Sequence, residues 1–508
     1  MSLTLSRPSA PPVPAVPPRS VPPAGAVAAV PATAAPMAER VAAPSPAATP
    51  ADTASALSAA PGAGLTEAGA GSGADGVAPA ALPGLAVLGD QLPVTLADGR
   101  TVDYANLDYA ATAPCLSAVA DAVNELLPWH ASVHRGAGAA SRRCTLAYER
   151  ARQSVADFLD ARPDDHVIFT RNTTDALNLL ARALPEQTTV VGWAGEHHAN
   201  LLPWPRFVRL PVPDSPDAAL RSLAAALAVL CAPVRPGAPG AASGPGSVAG
   251  PVLVAVTGAS NVTGEVWPVE RLAAVAHRYG ARIAVDAAQL AVHRPVSLRE
   301  SGVDYVALSG HKLYAPFGAG VLAGRADWLD AAPPYLAGGG ATEHVGDATH
   351  DVRWHTGPAR HEAGTPNLLG AVALATACER IAAADRRAID EREQVLLRRL
   401  RDGLAQLPRV AELRAFAADH DRVGIVSFAV AGVPASAVSE HLANRYGIGV
   451  RDGLFCAHPL GRRLLGEASA RLGLPLGGTA VRASIGLGTT PEHVDRLLAG
   501  LRELVDAG

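Results

Sequence analysis

Short apolar runs alternate with amphipathic stretches over much of the chain. Between residues 166 and 289, four apolar runs have the length and β-branched content of buried strands: HVIFT, TTVVGWA, PVLVAVTGAS and ARIAVDAAQ. The stretches between them include DALNLLARAL, in which leucines recur on one face as they do in a helix. Strands separated by helices favour a largely parallel sheet sandwiched by helices, whose ligands bind beyond the carboxyl ends of the strands. The pattern therefore predicts an α/β fold with a site along that edge.

A further apolar strand, residues 303–308, ends in Ser-Gly-His-Lys and is followed by a Pro/Gly turn and a second apolar run. Lys312, which this turn presents, is the only lysine in the chain. Its neighbours Ser309 and His311 can donate hydrogen bonds to an anion. A buried lysine with a lowered pKa is a nucleophile that forms Schiff bases, and arginine cannot replace it in that role. If Lys312 is considered without its neighbours, the alternative is a solvent-exposed lysine at the end of a strand.

Polar residues also follow two of the earlier strands. Thr173 and Thr174 stand in a turn at the start of a predicted helix, where free backbone amides and the helix dipole favour a phosphate. The alternative is that one of these threonines only caps the helix. His197 lies in the sequence EHHAN after the next strand. It is either a catalytic group or a solvated residue of the loop.

The two remaining strands of this region also end in polar residues. PVLVAVTGAS leads into Asn261, and ARIAVDAAQ ends with Asp286 and Gln289. Taken singly, Asn261 is a turn former and Asp286 is a cap or a salt-bridge partner. Because the lysine, histidine and threonines fall at the same predicted edge of the sheet, together these residues indicate an active site.

The C-terminal part of the chain predicts a smaller α+β domain, with strands and helices at residues 424–430, 434–444, 447–451, 480–485 and 491–504. Arg482 lies inside its last apolar strand, TAVRASIGL. A buried arginine is costly unless it meets an anion, and a planar guanidinium suits a carboxylate. Arg482 is therefore either a ligand of a substrate carboxylate or a member of a structural salt bridge.

Composition divides the chain into three predicted parts. Residues 1–84 are dominated by Pro, Ala, Gly and Ser and are predicted to be disordered. Residues 85–380 form the predicted large domain, in which the Pro/Gly/Ser-rich segment 232–250 is a flexible surface insertion. A helix from Leu368 into the charged run DRRAIDERE is predicted to lead into the small domain, residues 381–508.

Charge and cysteine usage narrow the function further. The 508 residues carry 43 basic and 47 acidic side chains, a net charge of -4, which makes no case for nucleic acid or an anionic membrane. No apolar run approaches the about 18 residues of a membrane-spanning helix, and we expect a cytoplasmic protein. The five cysteines are dispersed without a CxxC pair, which argues against a disulfide framework or a zinc site. Cys456 is distinctive because it lies in a Gly-containing loop, RDGLFCAHPL.

Residues 86–506 resemble the fold-type I, class V aminotransferase family, and within it the branch of SUF-type cysteine desulfurases and selenocysteine lyases. The motifs that carry the resemblance are LDYAATAP, RNTTDALNL, EHHANLLPW, SNVTGEVWPV, VDAAQ, SGHKLYAPFGAGVL, EAGTPN, RDGLFCAHP and VRASIGL. The resemblance implies a homodimer that uses pyridoxal 5'-phosphate (PLP), acts on an amino acid and passes sulfur to an acceptor protein.

The resemblance also implies roles for individual residues. Lys312 binds PLP covalently as its Schiff-base lysine, and His197 stacks on the cofactor ring. Asp286 pairs with the pyridine nitrogen, and Gln289 contacts the ring hydroxyl. The implied phosphate ligands are Thr173, Thr174, Ser309 and His311, with Thr365 of EAGTPN reaching over from the partner subunit. Arg482 and Asn261 would take the substrate carboxylate, and Cys456 would attack the substrate sulfur and carry it as a persulfide.

The sequence departs from the desulfurase pattern at two places. Those enzymes commonly have histidine immediately before the loop cysteine, whereas this chain has Leu454 and Phe455, which make the loop more apolar. Asn172 stands where glycine is usual in the phosphate turn, a mild change because asparagine tolerates turn conformations.

Two alternatives to a desulfurase or lyase stay open from the sequence. One is an aminotransferase or epimerase in which Cys456 is not catalytic, because relatives run different reactions on similar cofactor sites. The other is a catalytically silent binding protein, against which the full set of titratable residues speaks.

Overall fold

The computed structural model describes residues 82, 84–232, 250–348 and 350–506. The predicted disordered segment, residues 1–84, therefore lies outside the described residues except at Leu82 and Gly84. Most of the predicted insertion at 232–250 lies outside them as well.

The strands and helices of the described residues are as follows. The strands are β1 (Pro93–Thr95), β2 (Thr101–Asp103), β3 (Ala105–Asn106), β4 (Asp165–Thr170), β5 (Thr189–Trp193), β6 (Phe207–Leu210), β7 (Val252–Thr257), β8 (Arg282–Asp286), β9 (Tyr305–Ser309), β10 (Gly320–Arg325), β11 (Thr342–Val345), β12 (Val352–Trp354), β13 (Val410–Glu412), β14 (Ile425–Val430), β15 (Ile448–Gly449), β16 (Arg451–Gly453) and β17 (Ala480–Ser484). The α-helices are α1 (Ser117–Leu126), α2 (Ala139–Phe158), α3 (Thr173–Ala183), α4 (His198–Leu201), α5 (Pro216–Leu230), α6 (Val269–Arg278), α7 (Leu290–His293), α8 (Ala326–Ala331), α9 (Leu368–Ala383), α10 (Arg386–Ala405), α11 (Ala435–Tyr446), α12 (His458–Leu472) and α13 (Pro491–Asp506). Short 3₁₀ helices follow α1 and β12, at Leu127–Trp129 and Pro358–Arg360.

A seven-stranded sheet in the order β4-β10-β9-β8-β7-β5-β6 forms the centre of the structure. The pairs from β9 to β6 are parallel, and only β10 runs antiparallel to its neighbours. Side chains of β7 alternate between two cores: Val254 and Val256 pack on the side of α5 and α6, while Leu253 and Ala255 pack on the side of α3 and α8. The predicted α/β fold, with helices on both faces of a largely parallel sheet, is therefore confirmed.

A second, antiparallel sheet has the order β13-β14-β17-β16. Leucines of α10, α11 and α13 pack against Val426, Phe428 and Val481 on one face of it. On the other face Ala429 and Ala480 pack with leucines of α12. This arrangement matches the α+β pattern predicted for the C-terminal part, whereas the domain boundary placed between residues 380 and 381 stays a prediction.

The structure corrects two predicted helices. The helix expected from Leu368 into the charged run is two helices, α9 and α10, because Asp385 interrupts it and caps α10 by accepting from the amides of Arg387 and Ala388. The sequence also predicts a polar connector at residues 131–141 and a helix from Thr145 to Leu159, whereas α2 begins at Ala139, so part of that connector is helical. The apolar pattern of neither segment marks these ends.

None of the helices in the described ranges is long and apolar enough to cross a membrane.

A buried ion pair joins the loop after β7 to the segment before β14. Glu265 and Arg422 lie 3.0 Å apart, and each side chain is about 1% exposed. The Glu265 carboxylate also accepts hydrogen bonds from the amides of Ala415 and Phe416, and Arg422 donates to the carbonyl of Thr263 at 2.8 Å. Because both charges are almost completely buried, loss of Glu265 leaves the charge of Arg422 to the partly exposed carboxylate of Glu412, 3.4 Å away.

We expect Glu265→Ala to lower the free energy of unfolding by about 3–5 kcal/mol, the usual cost of breaking a buried pair. The matched control is Asp495→Ala, which removes the exposed pair between Arg399 and Asp495 and should cost less than about 1 kcal/mol. Urea denaturation of both variants at equal cofactor saturation measures the difference. Similar losses in the two variants would contradict the role given to the buried pair.

Candidate active site

A cavity of about 240 Å³ opens beyond the carboxyl ends of the parallel strands. Eleven of the twelve predicted site residues line it: Thr173, Thr174, His197, Asn261, Asp286, Gln289, Ser309, His311, Lys312, Cys456 and Arg482. The twelfth, Thr365, lies elsewhere, in a surface hollow that it shares with Tyr148, Phe169 and Tyr335. The structure thus brings together side chains that are up to 309 positions apart in the chain, from Thr173 to Arg482.

Lys312 and Asp286 meet this cavity from neighbouring strands. Asp286 is the last residue of β8, and Lys312 follows β9 after a turn in which its amide donates to the Ser309 carbonyl at 3.3 Å. Burial lowers the pKa of Lys312 to about 8, against the opposing effect of the Asp286 carboxylate. Burial likewise raises the pKa of Asp286, while Lys312 acts to lower it. The lysine amine therefore has a substantial neutral, nucleophilic fraction near neutral pH.

His197 presents an uncharged ring to the cavity. Its Nδ1 accepts a hydrogen bond from the Ala199 amide at 3.1 Å, so the neutral ring carries its proton on Nε2. Burial, with Lys312 nearby, lowers the pKa of His197 to about 3. A neutral imidazole whose orientation is fixed by the backbone can stack on a flat ring and can donate one hydrogen bond.

The N-terminus of α3 forms an anion-binding corner. Thr173 donates its amide to Ser309 Oγ at 2.8 Å, and the two hydroxyl oxygens lie 2.6 Å apart. The residue that caps the helix is Asn172, whose side chain accepts from the Asp175 amide at 3.0 Å. The capping alternative for Thr173 and Thr174 is therefore wrong, and both threonines line the cavity at the N-terminus of the helix, with the Thr173 hydroxyl paired to that of Ser309.

His311 stands at the same corner. Burial lowers the pKa of its imidazole to about 4, with the charge of Lys312 acting in the same direction. Its ring Nδ1 lies 3.3 Å from the Thr112 hydroxyl. A neutral ring in this place can donate one hydrogen bond to an anion.

Arg482 is almost completely buried, at 2% exposure, on the opposite side of the cavity. It donates to Asp108 Oδ1 at 2.9 Å and to the Asn261 carbonyl at 3.1 Å. Its Nε is buried without a hydrogen-bond partner among the described residues. The salt-bridge alternative is thus correct for one side of the guanidinium, and Arg482 also lines the cavity, where its charge can meet a carboxylate.

Cys456 is the one exposed cysteine among the five, all of which are free thiols. It follows β16 and lines the cavity together with Lys312 and Arg482. The Asn261 side chain donates to the Phe455 carbonyl at 2.7 Å, and the His198 amide donates to the Cys456 carbonyl at 2.8 Å. A thiol is therefore held at the mouth of a cavity that also contains a lysine amine.

Sequence reasoning missed three residues that shape the site. Arg451 lines the cavity, and Asp108 supplies the carboxylate for Arg482. Glu196 is fully buried beside His197, where burial raises its pKa to about 8 and the Asn200 side chain donates to it at 2.8 Å. All three belong to motifs quoted above, but nothing in their local pattern indicates these long-range contacts.

The model of the family described as aminotransferase class-V matches residues 105–210 and 249–497. A probable cysteine desulfurase of Vibrio cholerae is 33% identical over 426 residues, which is 81% of this chain and 95% of that protein. A cysteine desulfurase of Dickeya dadantii is 34% identical over 422 residues, 80% of this chain and 93% of that protein.

Two solved structures of cysteine desulfurases are also similar to this chain. The crystal structure of a cysteine desulfurase from Escherichia coli is similar with a TM-score of 0.65 and 31% identity, covering 80% of this chain and 95% of that one. The apo structure of a cysteine desulfurase from Thermococcus onnurineus has a TM-score of 0.66 and 30% identity with the same coverage.

Because Lys312 is the only lysine, amine chemistry tests its environment directly. In the cofactor-free protein, we expect carbamylation of Lys312 by cyanate to be half-maximal near pH 8, since only the neutral amine reacts and burial lowers the pKa to about 8. Peptide mass mapping separates this reaction from that of the N-terminal amine.

Asp286→Asn should move the midpoint below pH 8, because the carboxylate that favours the protonated lysine is removed. The urea-unfolded protein is the control, and its reaction should have the ordinary midpoint of lysine, about pH 10.4. A folded protein with that same ordinary midpoint would contradict the buried position of the amine.

Proposed function

We propose a function from the premise that the chain belongs to the class-V aminotransferase family: it is a PLP-dependent enzyme that removes sulfur from cysteine. The observation that carries this proposal is the exposed Cys456 thiol on the lining of the cavity that holds Lys312 and Arg482. An amine, a carboxylate-binding arginine and a nucleophilic sulfur are the groups that such a reaction needs. The similarity to cysteine desulfurases over about 80% of the chain supports the same assignment.

The residues present fit PLP. Hydroxyls of Thr173, Thr174 and Ser309, next to the N-terminus of α3, form a set of donors suited to the phosphate. Asp286 offers a buried carboxylate to the pyridine nitrogen, and His197 offers a neutral ring face. In addition, we assign Gln289 a hydrogen bond with the ring hydroxyl and His311 a further contact with the phosphate.

Gln289 suits its role because its side chain is held in place. One N–H of its amide donates to the Ala110 carbonyl at 2.9 Å, which fixes the side chain at the cavity wall. The second N–H and the amide oxygen remain for a hydrogen bond with the ring hydroxyl of the cofactor.

When bound, PLP supplies an electron-accepting ring that stabilises negative charge on the substrate alpha carbon. Arg482, which lines the cavity, would bind the substrate carboxylate and so orient the substrate. Asn261 lies beside the guanidinium and completes this end of the cavity. Lys312, with a pKa of about 8, is suited to take and return a proton at the alpha carbon.

Sulfur removal is assigned to Cys456. Its thiolate attacks the substrate sulfur, so that a sulfur–sulfur bond forms as the carbon–sulfur bond of the substrate breaks. The electron pair of the broken bond stays with the carbon fragment, which leaves as alanine after protonation. Cys456 is left as a persulfide, whose outer sulfur an acceptor protein then takes up by thiol exchange.

We further infer that the protein works as a homodimer in the cytoplasm. Thr365 lies outside the cavity and beside a separate surface hollow, which is compatible with service to the site of a second subunit. The cysteines of the chain are all free, and the proposed reaction needs a reduced thiol.

Replacement of Cys456 tests the reaction. In Cys456→Ala we expect persulfide formation and sulfide release from cysteine to fall to background, while the cofactor absorbance and substrate-induced spectral changes persist. Cys231→Ala is the matched control, since that half-buried thiol lies away from the cavity and its loss should leave activity unchanged.

Product analysis of the wild type distinguishes the alternatives. Alanine and sulfide are expected. Keto acid, or inversion at the alpha carbon without sulfide, would instead identify an aminotransferase or an epimerase. Partial activity in Cys456→Ala would identify a lyase that acts on better leaving groups than the cysteine thiol.

The shared site is tested with mixed dimers. Thr365→Ala should weaken PLP binding by about tenfold or more, because a hydrogen bond to a charged phosphate is lost. If Thr365 acts across the interface, a heterodimer of Thr365→Ala and Lys312→Ala subunits has one fully native site and regains activity. A heterodimer that regains activity only with the weakened PLP affinity of Thr365→Ala would place both residues in the site of one subunit.

A further inference from the structure

The turn that carries Cys456 has an unusual backbone. Phe455 and Cys456 have φ values of 53° and 54°, both in the left-handed region. Among the described residues, no other two consecutive non-glycine residues have this conformation. Such a backbone is unfavourable for residues with a β-carbon, and bulky residues adopt it rarely. The turn therefore depends on interactions that hold it in place.

Three hydrogen bonds restrain this turn. The Ala457 amide donates to the Leu454 carbonyl at 2.9 Å and closes the turn. Asn261 Nδ2 donates to the Phe455 carbonyl at 2.7 Å, and the His198 amide donates to the Cys456 carbonyl at 2.8 Å. Both of the latter donors come from loops at the edge of the seven-stranded sheet, so the turn is tied to the wall of the cavity.

The Phe455 side chain anchors the turn from the other side. It is 5% exposed and packs in the apolar cluster of α12, with Leu460, Leu464 and Val262. The Arg482 guanidinium lies over the ring, with its carbon 5.2 Å from the ring centroid. The ring is thus held between an apolar core and the arginine to which we assign the substrate carboxylate.

We propose that Phe455 is a positioning residue for sulfur transfer: its ring fixes the strained turn and so directs the Cys456 thiol into the cavity beside Arg482. This inference rests on the proposed role of Cys456 as the sulfur nucleophile. Phe455 touches neither sulfur nor cofactor in this scheme. It acts because displacement of a nucleophile by about 1 Å is enough to cost about 100-fold in rate.

In a loop that presents a thiol, the phenylalanine stabilises the turn. The side chain packs in the apolar cluster of α12 and also forms part of the cavity lining, so it stabilises the turn while the thiol stays exposed. The same ring contacts Arg482, which means that the position of the thiol and the position of the carboxylate-binding group are set by one side chain.

Two substitutions separate the ring from the backbone. Phe455→Ala removes the ring and keeps the unfavourable left-handed conformation, whereas Phe455→Gly removes the ring and relieves the strain. Leu454→Ala is the matched control, because it removes an apolar side chain from the same loop at a position that does not line the cavity. The holoenzymes are mixed with cysteine, and the persulfide on Cys456 is followed by mass spectrometry. Alkylation of Cys456 by iodoacetamide, without substrate, reports the position of the thiol independently of turnover.

We expect Phe455→Ala to slow persulfide formation by about tenfold or more and to change the alkylation rate, with cofactor absorbance close to that of the wild type. Loss of the buried ring should also lower the melting temperature, so the rates are compared at a temperature at which every variant is folded. Phe455→Gly should be less impaired than Phe455→Ala, an order that is the reverse of the usual effect of glycine on a folded loop. Leu454→Ala should stay within about twofold of the wild type.

A wild-type rate of persulfide formation in Phe455→Ala would overturn the inference, as would an alanine variant that is no slower than the glycine variant. A fall in Leu454→Ala equal to that in Phe455→Ala would also overturn it, since any apolar residue of the loop would then serve. These failures differ from failure of the proposed function, in which Cys456→Ala itself keeps full sulfur release.

Discussion

The register of the parallel strands is the constraint on which the site depends. Thr257 pairs with Asp286, so β7 and β8 end at the same level, and Asp286 pairs with Ala307, so β9 continues for two residues more, to Ser309. Each strand has its side chains buried on both faces, and a slip in register would move these pairs out of line. The loops that follow these strands therefore start side by side, and their polar residues meet in the cavity at that edge.

Arg482 connects this edge to the second sheet. It projects from β17, yet its partners are Asp108 near β3 and the carbonyl of Asn261 after β7. Burial lowers the pKa of the guanidinium, and the Asp108 carboxylate acts in the opposite direction. Arg482 also lines the cavity. A carboxylate bound there would give the guanidinium a second anionic partner.

The sequence was sufficient for much of the fold and for most of the cavity, since Asp286 and Lys312 follow apolar runs whose strand character is plain. It was not sufficient where the partner of a side chain is distant in the sequence. Asp108 meets Arg482 across 374 positions, and no local pattern marks that partner. The break before α10 was missed because both flanking segments favour helix, although Asp385 is a good capping residue. The left-handed turn at Phe455 was equally hidden, because tertiary packing imposes it against the local preference.

The apolar residues before Cys456 have a different consequence in three dimensions from the one that the sequence indicates. A reactive thiol needs cationic or polar surroundings, and an adjacent Phe455 is expected to deprive it of them. The ring of Phe455 is instead buried in a core, while Cys456 is exposed on the cavity lining. Lys312 and Arg482 line the same cavity as Cys456. The thiol therefore faces a cavity that contains two cationic side chains, and the apolar ring beside it in sequence packs in the cluster of α12.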